Sequence, residues 1–332
     1  MRRSRVMHGL AALLTSCALG CALAPTAAAA DIAPWTGMGA QLPPKDNLNA
    51  AKLAGGHAQD PSPTGVNEEC TPAPGENPVI LIHGMASNAY EAWAGLGPLL
   101  KSQGKCVYAL NYGAYPGADG QGSSAMGAIP GTYGVAPLAK NVEEVSAQID
   151  SIREHTGAEK VDLVGWSQGG TIATAYTKAR GGKGVGTVVT LAGVLRGTSM
   201  MGLANLHREM QLAGAPIDPV VTGILGPVGN DLLEMSPFMT QLRDGGLEVD
   251  GVRYVSISTL FDTAATPLNN TQFSSGDYQN IVLQDGCPND LADHQGMPYD
   301  PRAMAYTVNA LGGNVPVQCT GTVGPFIPGS SM

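Results

Sequence analysis

The stretch Val161-Asp162-Leu163-Val164-Gly165-Trp166-Ser167-Gln168-Gly169-Gly170-Thr171 decides how the chain folds. Val161, Leu163 and Val164 form the short apolar run of a buried strand, and a helix-forming segment follows from Thr171 to Ala179. Between them lies a serine flanked by glycines, in the order strand, Gly-x-Ser-x-Gly, helix. So sharp a turn holds the Ser167 hydroxyl out of the sheet, where a base and a substrate can reach it. Gly165 and Gly169 keep the crowded turn free of side chains, and Gly170 lets helix and strand pack closely. The helix that begins here also directs free N–H groups and the positive end of its dipole at the place where an oxyanion would form. Ser167 is therefore the candidate nucleophile, against the plainer reading of a turn serine in a glycine-rich chain.

Working outward, the same strand-then-helix rhythm recurs. Pro78 to Met85 is a continuous apolar run ending in His83-Gly84, which predicts a strand buried on both faces. A helix is expected over 90–101, with Pro98 as a place where it kinks or splits. Cys106 to Asn111 reads as the next strand. The glycine-rich stretch 112–133 has no period and is too long for an ordinary connection, so it is expected to be a functional rim loop. Leu138, Val142, Val145, Ile149 and Ile152 recur at helical spacing. Further strands are expected at 185–191, 252–258 and 281–283, and a closing helix at 301–311 with Pro301 in its first turn. Alternation of this kind gives an α/β domain with a mostly parallel sheet.

The rhythm breaks at about 198–246, where apolar residues crowd between prolines Pro216, Pro219 and Pro227. Lying between two strands of the sheet, this segment is expected to stand above them as an apolar cap. Five of the thirteen methionines fall here, and flexible thioethers suit an adaptable apolar pocket. Met200, Met201, Met235 and Met239, with Met297 further on, are the candidate substrate-binding residues, against the simpler reading that they are core.

The chain has 332 residues, 43% hydrophobic and 14% charged, as expected of one large globular domain. Residues 1–30 carry Arg2, Arg3 and Arg5, then an apolar stretch, then four alanines, and read as a secretory signal peptide. A lipoprotein-type cleavage before Cys17 is the rival, but that cysteine lies too early. Residues 31–70, rich in Pro, Gly, Asn and Ala, are expected to form an extended arm, and 71–332 the catalytic domain. Losing three leader arginines takes the net charge from −9 to about −12, which argues against nucleic acid as a partner. Four cysteines remain after the leader, with three possible connectivities. Nearest-neighbour pairing, Cys70–Cys106 and Cys287–Cys319, is expected because each pair flanks one part of the fold. No Cys-x-x-Cys or Cys/His cluster suggests zinc, so neither metal nor cofactor is expected.

A nucleophilic serine needs a base, and five of the six histidines can be eliminated in turn. His8 leaves with the leader, His57 is in the arm, His83 and His155 precede the serine, and His207 lies in the cap. In this type of fold the acid and then the base follow the serine along the chain, which leaves His294, in a loop between the last strand and the last helix. An unshifted imidazole titrates near neutrality and can take and return a proton there. The acid should follow a strand between Ser167 and His294, and Asp262 follows Tyr254-Val255-Ser256-Ile257-Ser258. Asp293 is a competitor, but neighbours on a chain rarely face each other; Asp277 and Asp285 read as loop residues. The oxyanion donors should be the backbone N–H groups of Gln168 and Met85, with His83 a structural residue beside them.

These four separated motifs, Val79 to Met85, Gly165 to Gly170, Phe261-Asp262 before Thr266-Pro267, and Asp293-His294, resemble the secreted bacterial class 2 lipases of the α/β-hydrolase superfamily. The Trp-Ser-Gln-Gly-Gly turn and the long cap are similar to lipases of the Candida antarctica lipase B type. The resemblance spans about Glu69 to Cys319 and implies hydrolysis of carboxyl esters such as acylglycerols; with the leader, a secreted protein is expected, as a monomer that can meet its substrate at an oil–water interface. The resemblance also implies a preference for medium or longer acyl chains. Met85 departs from it, since a hydroxyl residue is frequent there and adds a third oxyanion contact. Acyl transfer to an alcohol and polyester cleavage are alternatives with the same residues, separable by product analysis with alcohol and water competing. A non-catalytic lipid-binding protein on the same fold is the alternative from another class.

Overall fold

Side chains alternate across a strand, so an uninterrupted apolar run such as Val79-Ile80-Leu81-Ile82 has to be covered on both faces. In the computed structural model, which describes residues 39–320 apart from 57, 59 and 118–122, it is. The elements run β1 (Gln41–Leu42), α1 (Leu48–Gly55), β2 (Ser62–Pro63), β3 (Val79–Ile82), α2 (Ala89–Trp93), α3 (Leu96–Ser102), β4 (Val107–Leu110), α4 (Leu138–Thr156), β5 (Val161–Trp166), α5 (Gln168–Ala179) and β6 (Val185–Leu191). After these come a 3-10 turn (Met200–Gly202), α6 (Leu203–Leu212), α7 (Ile217–Leu225), α8 (Val228–Asp231), α9 (Pro237–Arg243), β7 (Arg253–Ser258), β8 (Asp277–Val282) and α10 (Pro301–Ala310). Strands β3 to β8 form one parallel sheet in the order β4-β3-β5-β6-β7-β8.

Ile80 and Ile82 join Val145 and Ile149 of α4 and Ile172 and Tyr176 of α5 in one core cluster. Val79 and Leu81 point the other way, into a second cluster with Trp93 of α2, Leu100 of α3 and Val308 of α10. The result is a three-layer arrangement of helices, sheet and helices. From β3 the chain steps to β4 on one side and then returns to β5 on the other. Loops leaving the carboxyl ends of β3 and β5 therefore part from one another, and such a switch point opens a crevice at that edge of the sheet.

Three details differ from the sequence reading. The helix expected over 90–101 is two helices, broken at Ala94 and Gly95, with Pro98 in the first turn of α3, where its missing N–H costs nothing. Residues 48–55, read as part of an extended arm, form α1, which is capped by the Asn47 side chain accepting from Ala50 N–H and buries Leu48 and Ala51. The last strand starts earlier than expected, at Asp277; it is an edge strand whose polar residues Asp277 to Gln279 are exposed, so no apolar run marks them. The cap at 198–246 also divides: α8 and α9 bury Val228, Met239 and Leu242 on the core, whereas α6 buries only Ala204 and α7 buries nothing. The expected leader and His57 lie outside the described residues.

Cys70–Cys106 and Cys287–Cys319 are disulfide-bonded, with Cα–Cα distances of 5.6 and 5.4 Å. Among the described residues no helix is long and apolar enough to cross a membrane.

The start of α10 has a pH-dependent consequence. Asp300 caps that helix, its Oδ1 accepting from Ala303 N–H at 2.6 Å, and only 1% of it is exposed. Burial, reinforced by the neighbouring Asp290 carboxylate, pushes its carboxyl up to about 7. The folded chain then holds a proton that the unfolded chain has already released, so this group makes stability fall as pH rises from about 4 to about 7. Asn retains the capping oxygen without the charge. Asp300→Asn is expected to gain on the parent at pH 8 relative to pH 5 by on the order of 2 kcal/mol in urea unfolding. Identical pH slopes for the two proteins would remove this role.

Candidate active site

The turn after β5 is built as its glycines require. Ser167 sits at φ 55, ψ −121, a conformation that L-residues rarely adopt. A Cβ on Gly165 would lie 2.3 Å from the carbonyl of Gly169, and one on Gly169 only 2.0 Å from the Ile82 carbonyl oxygen. Any side chain at either position would force the turn apart and move the serine.

His294 lies in the loop between β8 and α10. Its Nε2 is 2.9 Å from Ser167 Oγ, and its Nδ1 is 2.9 Å from Asp262 Oδ2. Both side chains of the His294–Asp262 pair are only 5% exposed, so bulk water competes little for the bond between them. Each member is held independently. The second oxygen of Asp262, Oδ1, accepts from the N–H groups of Ala264 and Ala265 at 2.8 and 2.7 Å. Trp166 Nε1–H donates to the His294 carbonyl at 3.0 Å, tying the histidine loop to the strand that carries the serine. A backbone bridge between Phe261 and Asp293 joins the two loops directly. With Asp262 receiving Nδ1–H, Nε2 is left as an acceptor for the Ser167 proton.

The turn after β3 lies alongside. His83 is fully buried, stacked on Tyr112 with centroids 4.3 Å apart, and its Nδ1 is 2.7 Å from the Gly84 carbonyl oxygen. Burial lowers its imidazole to about 4, against a small opposing effect of that hydrogen bond. It is neutral, and since a carbonyl can only accept, the proton is on Nδ1. Because the carbonyl and N–H of a trans peptide point in opposite directions, fixing the Gly84 oxygen toward His83 turns the Met85 N–H away from that ring. Tyr112 O–H closes the arrangement by donating to the His83 carbonyl at 2.5 Å.

A cavity of about 90 Å³ opens beside the serine, lined by Met85, Trp166, Ser167, Val194, Thr198, Met200, Leu225, Gly229, Leu232, Ala264, His294 and Gln295. Met200 is the one expected substrate-binding methionine found there. Met201 and Met235 are exposed, the latter in a separate cleft with His207 and Arg208. Met239 is buried in the core beneath the cap, and Met297 in the cluster on the opposite side of the sheet. Methionine content says nothing about which way a helix turns its faces, and α9 turns Met239 downward. The wall residues Val194, Leu225 and Leu232 were indistinguishable from other apolar positions in the sequence, although Ala264 and Gln295 could have been inferred as neighbours of Asp262 and His294.

The remaining candidates are placed elsewhere. His155 pairs with Glu69 and His207 with Asp218, at 2.9 and 2.8 Å. Asp293 Oδ1 accepts from Gly296 N–H, and Asp277 is exposed at the start of β8. Among the described residues no group of three or more His, Cys, Asp or Glu is arranged to hold a metal ion.

Residues 77–221 match the family model of the α/β hydrolase fold. The chain has the α/β-hydrolase fold. Lipase B of Aspergillus fumigatus superposes on it with a TM-score of 0.53 at 21% identity, over 74% of this chain and 55% of that one. A triacylglycerol lipase of Pseudarthrobacter phenanthrenivorans is 32% identical over 126 residues, 36% of this chain and 34% of that protein. Another, of Burkholderia plantarii, is 32% identical over 126 residues, 36% of this chain and 30% of that protein. The match spans about a third of the length of these curated relatives. The matched region holds β3, β5 and Ser167, and Asp262 and His294 lie beyond it.

Proposed function

We propose that the chain is a secreted serine carboxyl-ester hydrolase, a lipase or esterase acting on acyl esters such as acylglycerols. The observation that carries this is the unbroken line Asp262–His294–Ser167, with two 2.9 Å hydrogen bonds, ending at an apolar cavity. Ser167 Oγ attacks the ester carbonyl while His294 Nε2 takes its proton. The imidazolium, steadied by Asp262, returns that proton to the departing alcohol and leaves an acyl-serine. Water, deprotonated by the same nitrogen, then releases the acid and restores Ser167. The N–H groups of Met85 and Gln168 stabilise the oxyanion at both stages. Gln168 is the first residue of α5, where N–H groups lack partners inside the helix, and Met85 lines the cavity.

A 150 Å³ protein cavity accommodates benzene, so about 90 Å³ houses only the first roughly three or four carbons of an acyl chain. A longer tail has to run on toward the cap, where Leu203, Leu206, Leu212, Val220 and Ile224 of α6 and α7 are each more than half exposed. Such a surface favours substrate presented at an oil–water interface. Rates on chromogenic esters from short to long acyl chains, below and above their solubility limits, test both levels of the proposal. Turnover of these esters is expected, with an upward break at the solubility limit for the longer ones. Absence of turnover on every ester would overturn hydrolysis, and smooth saturation through the limit would remove the interface.

A further inference from the structure

The geometry points to Thr198 as a positioning residue that couples the cap to the aspartate, an inference resting on the hydrolase reading above. Thr198 is the second wall residue of the Ser167 cavity contributed by the segment between β6 and the 3-10 turn, and only 4% of it is exposed. A hydroxyl has one proton and two lone pairs, and this one uses them across two parts of the molecule. It donates to the Ala264 carbonyl, with the Thr266 carbonyl at 3.3 Å as a weaker second acceptor. It accepts from Met200 N–H at 2.8 Å and from Thr266 N–H at 3.3 Å.

Both ends of that arrangement matter. Ala264 receives Thr198 at its carbonyl and donates its own N–H to Asp262 Oδ1, whose other oxygen holds His294. The hydroxyl is thus one residue removed from the carboxylate. At the other end Met200 and Met201 stand at φ 44 and 56, a left-handed pair without glycine that costs strain and needs outside support. Thr198 supplies it to Met200 N–H, and Thr266 Oγ1 supplies it to Met201 N–H at 2.9 Å. Met200 is itself a wall of the cavity. One hydroxyl therefore sets the turn that aims the carboxylate and the turn that shapes the acyl side of the cavity. Displacing the root of the cap breaks the Ala264 bond and slackens Asp262, so cap position is felt at the catalytic base.

The test compares Thr198→Val, which keeps shape and loses the hydroxyl, with Thr198→Ser, which keeps the hydroxyl. In the full chain Thr198→Val is expected to lower kcat on a short chromogenic ester by about 10- to 100-fold, the scale of a small misplacement of reacting groups. The acid limb of the kcat–pH profile should move to lower pH, because a slackened carboxylate stabilises the imidazolium less. Selectivity between short and long acyl esters should change as Met200 loses its support. Thr198→Ser should restore kcat to within about threefold and return the limb to its place. A purely structural role would lower the folded fraction without moving that limb. The inference is overturned if Thr198→Val keeps the parental limb, or if Thr198→Ser behaves like Thr198→Val. Labelling of the parent at Ser167 by a fluorophosphonate separates the two levels: an unlabelled, inactive parent defeats the hydrolase reading, whereas a labelled parent with an unshifted variant defeats only the role of Thr198.

Discussion

Ser167→Ala is expected to lower turnover of a chromogenic acyl ester by about a millionfold, to the background left by binding and oxyanion contacts alone. The size follows from the site. Ser167 Oγ is the atom that His294 Nε2 faces at 2.9 Å, and its removal leaves the base with no nucleophile to activate. Alanine keeps the Cβ and the same backbone strain at φ 55, so the fold should survive with an unchanged circular dichroism spectrum. A folded variant that retains even a tenth of parental turnover would show that another residue is the nucleophile.

Asp262→Asn carries the next largest effect, a fall in kcat of about ten-thousandfold. The carbonyl oxygen of asparagine can still accept from the N–H groups of Ala264 and Ala265, so the turn after β7 keeps its shape. Its amide nitrogen, however, stands where Oδ2 now faces His294 Nδ1. Two donors cannot face each other, so the imidazole moves its proton to Nε2 and presents a donor to Ser167 instead of an acceptor. The base is lost although every atom is close to its original place. Thermal stability close to the parent's combined with a loss of less than tenfold would remove Asp262 from the line and return attention to Asp293.

Much of this arrangement is legible before any coordinates, for a physical reason. Ser167 and Asp262 each follow a buried strand, and buried parallel strands leave continuous apolar runs, whereas His294 follows from chain order alone as the one late histidine. Nearest-neighbour cysteine pairing could be read in the same way, because each pair brackets one unit of the fold. The substrate wall could not. Its residues lie on helices whose apolar positions outnumber those facing Ser167, and only tertiary packing decides that α9 turns Met239 into the core while Met200 reaches the cavity. The start of β8 was hidden for the opposite reason, since a strand at the edge of the sheet needs no apolar signature. The helix α1 carries readable signals, an Asn47 cap before strong formers in Leu48-Asn49-Ala50-Ala51-Lys52-Leu53-Ala54, but it is only eight residues long and lies between Pro- and Gly-rich flanks whose composition hides it.

The uneven burial of the cap has a thermodynamic consequence. Local opening costs free energy in proportion to the apolar surface and protected hydrogen bonds it gives up. Helices α6 and α7 bury one residue, Ala204, between them, so unravelling them exposes little that is not already in water. Amide hydrogens there are expected to exchange through shallow openings, and those of β3, β5 and β6 only on global unfolding, a contrast that hydrogen–deuterium exchange reads directly. The molecule therefore has a soft outer tier over a rigid floor, and the boundary between them runs through the hydrogen bonds at Thr198.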